Sequence, residues 1–172
     1  MKIKKIAGLT LISLSFVIIL VSAFVYEQQE QTTTQTITEV ASITLGNAPL
    51  GPIEEGETIL YTATNTSGLD QILTVTTGKD HVYLHFNTNL DSQSGNYSTY
   101  QIDVLVDTEP GGSSLPDPVA TLTIASPDTS SGIDLAVAGT YIFDFQVETT
   151  AQQVSADKPT TVNITVNAES TS

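Results

Sequence analysis

An all-β domain, an antiparallel sandwich of about seven to nine short strands behind one hydrophobic N-terminal helix, is predicted by three features of the 172-residue sequence. From about Glu39 onward apolar residues recur with a period of two, which puts one face of a strand on a core and the other in water. Breaks rich in Gly, Pro, Asn and Asp interrupt that alternation at short intervals, as antiparallel connections require. Ahead of it, Ile6 to Val25 contains no charged residue.

The N-terminal run comes first. Its 20 residues, at about 1.5 Å each in a helix, span roughly 30 Å, the thickness of a bilayer's hydrocarbon core. Lys2, Lys4 and Lys5 precede it, whereas all 19 acids lie at or after Glu27, opposed there only by Lys79 and Lys158. The positive-inside bias keeps the basic flank in the cytoplasm and sends the acidic remainder across. A retained signal anchor fits the length, since the run continues through Phe24, Val25 and Tyr26, beyond the roughly 7 to 15 apolar residues of a cleaved signal. A signal peptide fits Val21, Ser22 and Ala23, a small-x-small site after which cleavage would release a secreted chain. Residues 1–26 are therefore read as signal anchor or signal peptide. Residues 27–38 (EQQEQTTTQTIT) are a Thr/Gln-rich stalk, too poor in apolar residues to fold alone. Residues 39–172 form the extracellular sandwich. The expected location is the cell membrane, in a single pass with the C-terminal domain outside, or the medium after cleavage following Ala23.

Within the domain, Ala41, Ile43 and Leu45 alternate with polar neighbours until GNAPLGP breaks the chain. Ile59, Tyr61 and Ala63 follow in ETILYTATN, closed by TSGLD. Leu73 and Val75 mark the next strand, ended by a GKD turn, and Val82, Leu84 and Phe86 the one after. Tyr100, Ile102, Val104 and Val106 give the cleanest alternation. Leu122 and Ile124 come after the loop EPGGSSLPDP. Tyr141, Phe143, Phe145 and Val147 are expected to face inward, with Ile142, Asp144, Gln146 and Glu148 outward. Val162, Ile164 and Val166 finish the chain. No stretch of the domain has helical periodicity.

Composition closes several functional classes. There is no cysteine, hence no disulfide framework, thiolate cluster or cysteine nucleophile. Five lysines, no arginine and a net charge of −14 leave too few cations to displace counterions from a polyphosphate, so no nucleic-acid partner is expected.

The stretches GETILYTATNTSG, AGTYIFDFQVETT and TVNITV resemble the immunoglobulin-like sandwiches of prokaryotic surface proteins. The whole layout, basic start, one hydrophobic segment, Thr-rich stalk and one small sandwich, is similar to filament subunits of the TasA/camelysin type, particularly the archaeal members. That resemblance implies a membrane-anchored surface protein able to self-associate. Archaeal type IV pilins share the basic leader and β head, but here Gly8 follows Ala7 where their processing site has a charged or polar residue.

The resemblance to camelysin also implies metalloprotease activity, yet HExxH is absent, as are GxSxG, GxGxxG and GxxxxGK[ST]. The only histidines, His81 and His85, would stand about 13 Å apart on one strand face, too far to share an ion. No enzyme is expected. Asn87, Asn89, Asp91 and Gln93 alternate as oxygen ligands in the manner of a Ca²⁺ loop. Ser92 and Ser98 replace the glycine and glutamate that an EF-hand needs, and a polar hairpin loop is the competing reading. Asp117 and Asp128 would add carboxylates if their loops met. Sequons at Asn65, Asn96 and Asn163 are glycosylation candidates. The function expected is non-catalytic surface display. One form is a structural or adhesive subunit forming filaments by donating Thr32 to Leu45 to a neighbour's sheet. The other is a monomeric binding module for a solute, glycan or protein partner.

Overall fold

In a computed structural model of the chain, the structure describes residues 41–154 and 157–170. The hydrophobic segment at Ile6 to Val25 and the stalk lie outside them. Among the described residues no helix is long and apolar enough to cross a membrane.

Among the described residues nine strands form two antiparallel sheets. They are β1 (Ala41–Leu45), β2 (Thr58–Tyr61), β3 (Leu73–Thr77), β4 (Val82–Thr88), β5 (Tyr97–Thr108), β6 (Ala120–Thr123), β7 (Ile133–Leu135), β8 (Gly139–Ala151) and β9 (Ile164–Glu169). The larger sheet runs β1-β3-β8-β5-β6, with β2 also paired to β8; the smaller runs β7-β4-β9. β8 is the hub. Its 13 residues pair on one edge with β5 and on the other with β3 and β2 in tandem, Leu73 opposite Phe143 and Tyr61 opposite Val147.

Alternation places the core as expected. Tyr141, Phe143, Phe145 and Val147 are at most 4% exposed, and they meet Leu73, Val75, Val82, Leu84, Phe86, Val104 and Leu122, all at most 1% exposed. Burial of each large side chain contributes about 1.5 to 3 kcal/mol. The outer face of the large sheet is knitted by hydroxyl pairs across strands, Thr58 to Thr150 at 2.9 Å and Thr76 to Thr140 at 3.1 Å. These threonines pair where a more charged chain would set ion pairs.

Four features depart from the sequence reading. β7 carries only one fully buried residue, Leu135, and is too short to show a period. Leu90–Gln93 forms one turn of 3-10 helix, with Leu90 and Gln93 buried. β2 stops at Tyr61, because Asn65 takes over its edge: Asn65 Nδ2 donates to the Leu60 carbonyl and Thr62 N–H donates to Asn65 Oδ1. Asp144 is no free outward carboxylate. Its Oδ1 accepts the Gln71 N–H at 2.6 Å while the Phe145 N–H donates to the Leu69 carbonyl, and together these pin the β2–β3 crossing to β8. Gln71 sits at φ +48° and depends on that anchor.

The core assignment has a measurable consequence. Phe143→Ala should cost about 3 to 5 kcal/mol in denaturant unfolding. Asp144→Ala should cost about 0.5 to 1.5 kcal/mol, because the exposed Gln71 N–H loses its carboxylate but can turn to water. Equal effects would place Phe143 on the wrong face.

Candidate functional site

The two sheets are unequal. β5 and β8 have 12 and 13 residues, while β4, β9 and β7 have 7, 6 and 3. At the end of the sandwich where β5 begins and β8 finishes, segments without regular structure flank the inner face of the large sheet and leave an open cleft of about 1510 Å³. Its floor includes Tyr61, Tyr100, Ile102, Phe145, Val147 and Thr149. One wall is the segment from Gly46 to Glu55; the other includes Asp157 to Ile164.

Each wall is fastened by hydroxyls and backbone. Tyr61 OH donates to the Gly51 carbonyl at 3.0 Å, and the Gly46 N–H donates to the Ile72 carbonyl at 2.7 Å. The first wall passes so close to Gly68 that a Cβ there would lie 2.8 Å from the Asn47 oxygen; Gly68 also has φ +94°. Only glycine fits that crossing. On the second wall, Tyr97 OH and Thr160 Oγ1 lie 2.8 Å apart. At the same wall Asn89 Oδ1 accepts the Asn163 N–H at 2.8 Å and Asn89 Nδ2 donates to the Thr161 carbonyl. The Val154 N–H donates to Glu55 Oε1 at 3.0 Å, joining the two sides at one end.

Between the fastened tyrosines stands Tyr100, 7% exposed, edge-on to Tyr97 with ring centroids 5.0 Å apart. Its hydroxyl has no hydrogen-bond partner among the described residues. Burial, then the nearby Tyr97 and Tyr61 hydroxyls, push the Tyr100 phenol up to about 12. Burial foremost, with Tyr97 and Glu57, also raises Tyr61. Thr149, 2% exposed, has a buried Oγ1 without a partner. These six floor residues are uncharged and at most 7% exposed. Charges sit on the walls, at Glu54, Glu55, Asp157 and Lys158.

The cleft was hidden in the sequence by a bulge. Tyr97 and Tyr100 are three apart, an odd spacing that sends strand residues to opposite faces. An extra residue in β5 between Tyr97 and Thr99 shifts the register against β8, and both rings reach the cleft. Thr149 was foreshadowed, because it continues the inward phase of Tyr141, Phe143, Phe145 and Val147.

The other sequence-marked residues fall as follows. Three of the four suggested calcium ligands direct their oxygens to protein partners. Asn89 Oδ1 takes Asn163 N–H, Asp91 Oδ1 takes Ser92 N–H, and Gln93 Oε1 takes Asn96 Nδ2. Asn87, exposed on β4, makes a backbone bridge with Asp128, whose Oδ1 accepts the Thr88 N–H. Asp117 lies toward the other end of β5, accepting the Val106 N–H, so the two carboxylate loops do not meet. Among the described residues no three His, Asp or Glu are placed to hold a metal ion. His81 is exposed and pairs with Asp134 at 3.1 Å, whereas His85 is half-buried against Gly132. Of the sequons, Asn163 is exposed on a cleft wall, Asn96 is half-buried beside it, and Asn65 is spent on the Leu60 carbonyl. No protein-family model matches the chain, and none of the curated proteins matches it in sequence.

The tyrosine floor sets an alkaline limit. Tyr100 ionises near its ordinary value of 10.0 in the unfolded chain and near 12 when folded. Its contribution to stability is complete below about pH 10 and is lost as pH rises toward about 12. Tyr100→Phe should flatten that part of the stability profile, measured by unfolding between pH 9 and 12; an unchanged profile would place the phenol in water.

Proposed function

We propose that this chain is a non-catalytic cell-surface display protein, held at the membrane by Ile6 to Val25, whose sandwich acts as a binding module through its open cleft. The observation that carries the reading is the open cleft of about 1510 Å³ between the Gly46 to Glu55 wall and the Asp157 to Ile164 wall. Clefts lined by apolar side chains with a few polar groups are where proteins commonly take ligands. The charge asymmetry across the hydrophobic segment supports display outside the cell.

We read the sandwich as immunoglobulin-like. Tyr141, near the start of β8, donates its hydroxyl to the Val137 carbonyl at 2.7 Å, the arrangement of a tyrosine corner. The β5–β8 and β4–β7 pairings fit that reading, while the last strand, β9, departs from it by joining β4 and not β8. The filament form has less support, because Ala41–Leu45, part of the strand it would donate, pairs with β3 in its own domain, Ile43 opposite Val75.

Two measurements test the proposal together. Cells with and without the protein are compared by electron microscopy, and the purified full chain in mild detergent is sized by light scattering. A binding module gives protein in the membrane fraction, no protein-dependent fibres and one chain per micelle. Fibres on the cell surface, or ordered polymers in solution, would restore the structural-subunit reading and overturn this one.

A further inference from the structure

The three Asn-x-Ser/Thr sequons differ in how the fold uses their amides. In Asn65-Thr66-Ser67 the side-chain amide is engaged at both ends. Its Oδ1 accepts the Thr62 N–H at 2.7 Å and the Thr66 hydroxyl at 2.8 Å, and its Nδ2 donates to the Leu60 carbonyl at 2.9 Å. Turning that amide outward would undo the end of β2. In Asn96-Tyr97-Ser98 the asparagine is half-buried; its Nδ2 donates to Gln93 Oε1, its Oδ1 accepts from Lys158 Nζ, and Ser98 Oγ donates to the Thr150 carbonyl. Asn163-Ile164-Thr165 is the exception. Asn163 is exposed, and its side-chain amide has no hydrogen-bond partner among the described residues; only its main-chain N–H is held, by Asn89 Oδ1. Thr165 is exposed as well, and residues two apart in an extended chain face the same way, so the amide and the hydroxyl stand on one surface. That surface is reachable, because Asp157 to Asn163 have no regular structure and β9 is an edge strand, paired with β4 alone among the described strands.

We infer that Asn163 is a modification site, the one sequon of the three that takes an N-linked oligosaccharide, from a donor whose sugar is carried on a lipid phosphate. The Asn163 Nδ2 forms a bond to the anomeric carbon as the bond from that carbon to the phosphate oxygen breaks. The lipid phosphate leaves with the bonding electrons, and the amide proton passes to a base of the transferase. An amide nitrogen is a poor nucleophile, since its lone pair is delocalised into the carbonyl. The transferase must therefore grip and twist the side chain, and an amide already bonded within its own domain resists this. The hydroxyl two residues on gives a second hold. Only at Asn163 is that residue Thr, whose methyl adds an apolar contact; the other two sequons end in Ser67 and Ser98. The inference rests on the display outside the cell that is part of the proposed function, and not on the cleft.

The test uses the full chain purified from the cells that make it and cleaved after Asp and Glu, which leaves each sequon in its own peptide, 58–70, 92–103 and 158–169. Mass spectrometry should find a saccharide increment on most copies of 158–169, localised to Asn163 by electron-transfer fragmentation, and none on the other two. Asn163→Gln and Thr165→Val should each abolish the increment, whereas Thr165→Ser should keep it at lower yield. Both abolishing variants retain the main-chain N–H that Asn89 holds, and circular dichroism melting verifies that they fold. An unmodified 158–169 peptide, an increment on Thr160, Thr161 or Thr165, or one on Asn65 or Asn96 would each overturn the proposal. Protease added to intact cells separates its failure from that of the display reading. A domain digested from outside but bare at Asn163 overturns the site alone; a domain both protected and bare overturns the two together.

Discussion

The structure depends on one mismatch of length. β8 and β5 pair along about ten positions, from Tyr97 opposite Ala151 to Thr108 opposite Ile142, and form the longest ladder among the described residues. The smaller sheet has at most seven residues in any strand. Two long strands cannot be covered by three short ones, so one end of the large sheet's inner face has to be flanked by segments with no ladder of their own. Backbone in such segments must find partners elsewhere or stay in water. Tyr61 and Asn89 meet part of that demand and Tyr97 adds a hydroxyl pair with Thr160, which places aromatic hydroxyls where an ordinary sandwich core would have aliphatic side chains.

The two ends of the sandwich therefore differ physically. Toward Tyr141 and Phe143, whose rings stack with centroids 6.4 Å apart, apolar groups from both sheets fill the interior. Toward Thr149 the interior is roofed by segments held through single hydrogen bonds, each contributing about 0.5 to 1.5 kcal/mol net. Such an end opens locally at much lower cost than the whole domain unfolds. Binding sites are commonly drawn from regions of that kind, where a rigid scaffold carries weakly held loops.

The fold was legible where period two holds without interruption. Val82, Leu84 and Phe86, or Tyr141 through Val147, reveal both strand and facing because each inward residue is apolar and each outward one polar or tolerated. Legibility failed where one residue breaks the phase or where a side chain serves the backbone. The β5 bulge concealed the Tyr97–Tyr100 pair, and Asp144 looked free until the Gln71 N–H was seen to depend on it. Asn89 was marked from sequence for its oxygen, which does act as an acceptor. Its donor is a wall of the cleft, a partner more than 70 positions away that spacing arguments cannot reach.

The central claim is that the Thr149 end of the sandwich is closed by weak, separable fastenings and the Phe143 end by a continuous core. Native-state hydrogen exchange of the full chain tests it most directly. The account predicts that the Gly46, Val154 and Asn163 amides, which tie down the walls, exchange by local opening well below the global unfolding free energy. The Phe143 and Val104 amides should exchange only with global unfolding. If the wall amides were as protected as those of Phe143 and Val104, the domain would be a single cooperative unit with no separable cleft, and the account would be contradicted.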